Sequence, residues 1–428
     1  SSFSNCWAVK TPLFPSINMG WACTTPVNIV LFPATFLEDV DNDGIKDLLV
    51  APNTTTLAEN HKSAWYYKNN GTNNTPIFEL TERGFLQNDM IELGESSIPE
   101  LFDYNADGLM DLLVSNYGYF NRDSITYDCR ISLYQNTGSA TTPVFKFITD
   151  DYQNISALKL GNSLHPTFAD IDNDGDQDML MGNSEGYLHL FTNTAGAGNT
   201  AAFSLTTSRV TDVMSDTIDV GQFSAPQLFD YDKDGDFDLI IGRVNGSISY
   251  YENTGTTSSY VFTRVTDTMG YIFIHESWDT YGAATGYSTP HFYDSSGTTL
   301  MVSGGQQGEI YKFRGINPLN PIQQFIVSDT LLKKLTIGLR TTPVLYDFGN
   351  DGKMDMLVGN IKGGVNFLTY DTAIVDTTTI GIDDTTNTSI NEILDIDFKL
   401  YPNPSKDFIT VDFGTQFQNG KQLLIRNL

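Results

Sequence analysis

An acidic turn returns along this chain at intervals of about 60 residues, and nothing else in the sequence restricts its fold as much. Six segments align: FLEDVDNDGIKDLLV (36–50), LFDYNADGLMDLLV (101–114), FADIDNDGDQDMLM (168–181), LFDYDKDGDFDLII (228–241), FYDSSGTTLMV (292–302) and LYDFGNDGKMDMLV (345–358). Their first aspartates are Asp39, Asp103, Asp170, Asp230, Asp294 and Asp347. An apolar strand, often led by proline (Pro99, Pro166, Pro226, Pro290, Pro343), runs into each turn, and a second such as DLLVSN or DLIIGR leaves it. Aromatic third strands follow (AWYYKNNG, ISLYQNTG, LHLFTNT, ISYYENTG), ending in Asn-Thr-Gly or Asn-Asn-Gly turn chemistry. Fourth strands follow several of them, as in PIFEL, PVFKF and YVFTRV. Helical periodicity is nowhere sustained. Four-stranded units in series predict an all-β fold, a β-propeller, in preference to a linear β-solenoid with its shorter rungs.

The turns have the pattern DxDxDGxxD. Alternate side chains along a curling backbone point inward, and the glycine at position 6 permits the reversal that closes the cage. So many carboxylates at close quarters repel one another unless a cation stands between them. A hard cation wanting six to eight oxygens fits, and calcium suits better than magnesium or the softer metals. The predicted ligands are Asp39, Asp41, Asp43 and Asp47 with the carbonyl of Ile45; Asp103, Asn105, Asp107 and Asp111 with that of Leu109; and Asp170, Asp172, Asp174 and Asp178 with that of Asp176. The fourth unit supplies Asp230, Asp232, Asp234 and Asp238 with the carbonyl of Asp236. The sixth keeps Asp347, Asp351 and Asp355 with the carbonyl of Lys353, but Gly349 replaces a ligand and predicts a weaker site. In the fifth, Asp294 precedes a shortened SSGTT turn, expected to be an ordinary hairpin without an ion. EF-hand and dockerin loops need a ligand at position 12 and a flanking helix, whereas a strand follows here.

These segments resemble the FG-GAP/VCBS repeat family, the propeller type also seen in integrin α-subunits, over roughly residues 30 to 370. The resemblance implies a ring of commonly seven blades. The expected division is 1–30 as a partial outer strand or closure, 31–372 as the propeller, 373–395 as a Thr/Asp-rich linker, and 396–428 as a small, incomplete β-sandwich-like module. KLYPNPSKDFITVDF (399–413), with its core Leu400, Tyr401, Pro402, Asn403 and Pro404, resembles the start of the type A C-terminal sorting domain of the type IX secretion system of Bacteroidota. That resemblance implies export, with the secretion translocon and its shuttle or attachment proteins as partners. It also implies a location outside the outer membrane, secreted or at the cell surface. Asp216-Thr217-Ile218 and Asp371-Thr372-Ala373 look like O-glycosylation sites of that phylum.

Charge agrees with such a reading. Asp and Glu number 52 against 24 Lys and Arg, a net −28 that disfavours nucleic acid and anionic membranes as partners. No apolar run is long enough to span a membrane as a helix. Cys6 and Cys23 are close enough in sequence to pair in an exported protein, leaving Cys129 as a buried thiol. Catalytic signals are weak. Gly182-Asn-Ser-Glu-Gly186 mimics a nucleophile elbow but falls between a second and a third strand. His61, His165, His189, His275 and His291 show no metal or catalytic spacing. Recognition loops are expected in 275–289, which holds Trp278, and in 118–130. The sequence thus predicts a non-catalytic, calcium-stabilised surface binding or adhesion protein with a protein or glycan ligand. A polysaccharide-active enzyme and an accessory propeller of a larger secreted protein are the alternatives.

Overall fold

A computed structural model describes residues 22–23, 25, 27, 29, 33–53, 60–121, 124–274, 285–329, 338–368, 399–401 and 410–412. The chain divides into two compact units, 1–369 and 370–428. In the second, Lys399–Tyr401 pairs antiparallel with Thr410–Asp412. Pro402, Asn403, Pro404, Cys6 and Trp278 lie outside the described residues.

The first unit is a β-propeller. Each repeat folds into an antiparallel sheet in chain order, for example Ala225–Phe229, Asp238–Gly242, Ile248–Asn253 and Phe262–Thr266 in the fourth. Middle strands such as DLIIG are buried along their whole length, because both faces of a blade pack on its neighbours. The innermost strands Ile98–Phe102, His165–Ala169, Ala225–Phe229, Thr289–Ser295 and Thr342–Tyr346 surround an axial cavity of about 130 Å³.

Five repeats, the second to the sixth, close this ring. The sixth meets the second directly: Ser97 N–H donates to Asn360 O at 2.9 Å, and Asn360 N–H donates to Ser97 Oγ at 2.9 Å. Ser224, Ser288 and Thr341 make the same clasp on Asn183, Arg243 and Gly305 of the blade before them. At these seams the second strand ends in glycine because the next blade's carbonyl occupies the side-chain space. A Cβ on Gly242 would stand 2.0 Å from Ser288 O, and one on Gly304 would stand 1.8 Å from Thr341 O. The seam between the second and third repeats differs, with Ser115 and Leu164 at the two positions and the buried Cys129 donating to Asn116 O.

All six repeats fold into sheets, and five of them close the ring, in place of the seven blades that the resemblance commonly implies. The first repeat carries Ala51 where the seam glycine stands, and Ser97, its would-be partner, is held by the sixth blade. Its inner strand Ala34–Glu38 is exposed, with Phe36 56% accessible. This repeat packs its own core of Leu48, Val50, Trp65, Tyr67 and Phe78 beside the ring. Asn60 ties it to the second blade through Gly118 O and Phe120 N–H. Ala22–Cys23 adds a parallel outer strand to the same sheet. Among the described residues the sixth sheet has three strands. In the first four repeats an asparagine such as Asn253 ends the third strand and caps the turn into the fourth, accepting from Gly255 N–H and Val261 N–H. Gly315 holds that position in the fifth repeat, which has a fourth strand all the same.

Each seam also forces a left-handed residue two places before the inner strand: Ser96, Ser163, Phe223, Tyr287 and Arg340, with φ between 47° and 66°. Such a conformation in a residue other than glycine costs about 1–3 kcal/mol. The expected recognition loop 118–130 forms a small hairpin, Tyr119–Asn121 against Thr126–Asp128.

Candidate metal centre

The acidic turns lie at the C-terminal ends of the inner strands, and their shape follows from backbone hydrogen bonds to the first aspartate. In the third repeat Asp170 accepts from Asp174 N–H and Gly175 N–H, both at 3.1 Å. Asp39, Asp103 and Asp347 wrap their turns in the same way. Two left-handed residues make the reversal, one at position 4 (Asn42, Ala106, Asn173, Lys233, Asn350) and the glycine at position 6.

Carboxylate oxygens of Asp39, Asp41 and Asp43 converge within 4.8 Å, as do those of Asp170, Asp172 and Asp174, and of Asp230, Asp232 and Asp234. In the second turn Asn105 stands between Asp103 and Asp107 and is bonded to Asp107 at 2.9 Å. The sixth has Gly349 between Asp347 and Asp351, and Lys353 Nζ lies 3.5 Å from Asp351. The fifth closes as a two-residue turn, Ser296-Gly297, with Asp294 accepting from Thr299 Oγ1 at 2.7 Å and from Lys233 Nζ at 2.8 Å.

Position 9 serves a further purpose. Asp47, Asp111, Asp178, Asp238 and Asp355 begin the second strands and are buried. Asp238 Oδ1 accepts from Asn253 N–H at 2.8 Å, while Oδ2 accepts from Tyr231 N–H and from the Tyr250 hydroxyl, both at 3.1 Å. Asp47 and Asp111 repeat the amide contacts with Asn69 and Asn136, and Tyr66 hydroxyl joins Asp47. This carboxylate fastens the acidic turn to the third strand, a task that its place in the motif did not reveal.

Whether a cation fits is decided by oxygens that lack a partner. Among the described residues, Asp172 Oδ1, Asp176 Oδ1, Asp178 Oδ2, Asp230 Oδ1 and Asp236 Oδ1 are buried and accept no hydrogen bond. All belong to the third and fourth turns, and a buried carboxylate oxygen left unpaired is costly. A hard cation held by these oxygens satisfies them, so the donor set fits. Asp176 and Asp236 thus offer side-chain oxygens, where the sequence pattern had assigned only their carbonyls. Burial pushes the Asp178 and Asp238 carboxyls up to about 7. Burial, then the neighbouring aspartates 234, 232 and 230, raises Asp236 to about 6. In the first turn the chain supplies its own cation: Lys68 Nζ contacts Asp41 and lies 3.7 Å from Asp43.

His275 lies outside the described residues, and among those described no comparable chemistry surrounds the remaining candidates. Ser184 sits in a turn, its N–H donating to Asn162 O. His165 and His291 face the axial cavity, where burial holds them down at about 4, and His291 Nε2 accepts from Leu345 N–H at 3.4 Å. His61 stacks on Tyr119, and His189 Nε2 is 3.2 Å from Asn183. Cys129 is a free, buried thiol.

Fold and turns together define a β-propeller with aspartate-rich hairpins at one end of its ring. Residues 39–114 and 103–181 match the family model of the FG-GAP-like repeat. No curated protein matches the chain. Among solved structures, a lectin of Agrocybe aegerita, described for specific recognition of non-reducing terminal N-acetylglucosamine, shares 16% identity. That match covers 80% of this chain and 81% of the lectin, with a TM-score of 0.30. A triple arginine-to-alanine mutant of AofleA from Arthrobotrys oligospora shares 8% identity, covering 79% of this chain and 83% of its own, with a TM-score of 0.36. Neither likeness bears on what this chain binds.

Proposed function

We propose that the protein is an extracellular, non-catalytic binding and adhesion propeller whose acidic turns hold calcium as a structural ion. The observation that carries this reading is the set of partnerless carboxylate oxygens in the third and fourth turns. Extracellular calcium fills sites as weak as about 10⁻⁴ to 10⁻³ M, so open, exposed turns of this kind work there. Among the described residues no helix is long and apolar enough to cross a membrane.

Calcium titration of the full chain by calorimetry is expected to resolve at least two sites, and Asp172→Asn combined with Asp232→Asn should abolish both. Heat that persists unchanged in the double variant refutes the assignment.

Export through the type IX secretion system, directed by residues 396–428, belongs to the same reading and is supported by the Leu-Tyr-Pro-Asn-Pro core. Removing 396–428 from the protein expressed in a host with that system should retain it in the cell. Undiminished export would refute the role.

A further inference from the structure

The five left-handed residues share more than a backbone angle. Ser96, Ser163, Phe223, Tyr287 and Arg340, one from each blade, line a single opening of about 20 Å³ at the N-terminal ends of the inner strands. This end of the ring is opposite the acidic turns. The seam explains the backbone: Tyr287 N–H and Ser288 N–H donate to Val244 O and Arg243 O, and Arg340 N–H and Thr341 N–H donate to Gln306 O and Gly305 O. The side chains of Phe223, Tyr287 and Arg340 also meet between neighbouring blades, but the left-handed backbone itself is set by the amides. Glycine would take that conformation without strain, yet none of the five is glycine. Side chains retained at strained positions around one opening point to a function beyond closure.

Their chemistry is specific. The Arg340 guanidinium lies 4.1 Å from the centre of the Tyr287 ring and 5.6 Å from that of Phe223. The two rings meet edge to face at 4.8 Å. Arg340 Nε donates to Gln306 Oε1 at 3.3 Å. Among the described residues no carboxylate pairs with Arg340 or lines the opening, in a chain of net charge −28. Ser96 and Ser163 offer hydroxyls on the other side, with His165 beneath. A planar cation held against aromatic faces, with hydroxyls across a narrow mouth, matches a carboxylate carried on a sugar ring.

We propose that the axial mouth formed by Ser96, Ser163, Phe223, Tyr287 and Arg340 binds an acidic saccharide. Arg340 takes the carboxylate, the aromatic rings flank the sugar's C–H groups, and the serines bond its hydroxyls. The inference rests on the reading of the protein as a binding propeller and names the ligand class.

The test uses the full chain with calcium, titrated with oligogalacturonate, its methyl ester, the neutral oligosaccharide cellotetraose, acetate and a peptide with a free C-terminus. Oligogalacturonate should bind, with the methyl ester at least tenfold weaker. Arg340→Gln should lose at least tenfold, whereas Arg264→Gln, an exposed arginine elsewhere, should lose none. Tyr287→Gly should weaken binding while its melting temperature holds or rises, a combination that a purely structural residue does not give. Absence of oligogalacturonate binding, equal binding of the ester, or full binding by Arg340→Gln overturns the proposal. Binding of acetate or of the peptide as tight as that of oligogalacturonate also overturns it, in favour of a free carboxylate. Cellotetraose binding that ignores Arg340 refutes this site and leaves the binding reading standing.

Discussion

Asp238→Ala is expected to cost about 3–5 kcal/mol of stability, because it strands three donors inside a blade. Asn253 N–H, Tyr231 N–H and the Tyr250 hydroxyl all end on this carboxylate, and no water reaches a residue 1% accessible. Each buried donor left unpaired costs about 1–3 kcal/mol, and the loss of three together is tempered by local relaxation. Asp234→Ala is the comparison. It removes an exposed carboxylate from the same turn and, in chelator, should change stability by no more than about 0.5 kcal/mol. Urea unfolding followed by fluorescence separates the two variants. A loss below about 1 kcal/mol for Asp238→Ala would show that the third strand does not depend on this fastening.

Calcium should raise the melting temperature by an amount that grows with pH. Burial holds Asp111 and Asp236 at about 6 and Asp178 and Asp238 at about 7, against 3.8 for an ordinary aspartate. Without metal the folded chain therefore keeps protons that the unfolded chain gives up. Its contribution from these groups is full below about pH 4 and is lost as pH rises through 6 to 7. His165 and His291 act in the opposite sense: held near 4, they cost stability as pH falls below about 6.5. They face the axial cavity, away from the turns, and act equally with and without calcium. The difference between melting curves in calcium and in chelator thus isolates the aspartates. It should be small at pH 4 and largest above pH 7. At a free concentration a hundred times its dissociation constant, calcium adds about 2.7 kcal/mol per site. Superimposed curves at pH 7.5 would contradict the structural role of the ion.

The repeating unit was legible because its signals are local. Alternation, Asn-Gly turns and the position-6 glycine each act within a few residues, and the shortened SSGTT turn announced its own tight hairpin. Ring size was not legible, because it depends on which inner strands meet. ATFLE in the first repeat keeps the apolar alternation but lacks the proline of its counterparts, and it lies exposed; Ala51 does not decide this alone, because Ser115 holds the same position in a blade of the ring. The axial mouth was equally hidden. Its five residues share a dihedral angle rather than a letter, so aligning the repeats shows Ser, Ser, Phe, Tyr and Arg with nothing in common. The position-9 aspartates were found in the sequence as metal ligands, but their bonds to the third strand span residues far apart in the chain and only the folded blade reveals them.

Aspartate turns and the Arg340 opening sit at opposite ends of inner strands such as Thr342–Tyr346, about 17 Å apart at five residues each. The ring is in consequence an electrical dipole with a preferred heading. A polyanion drifting toward it is turned from the aspartate end, and against a net charge of −28 its arrival quickens as salt is added. Dications seated among the aspartates lower that net charge, so the ion that steadies the ring would also ease an anion's approach to the far end.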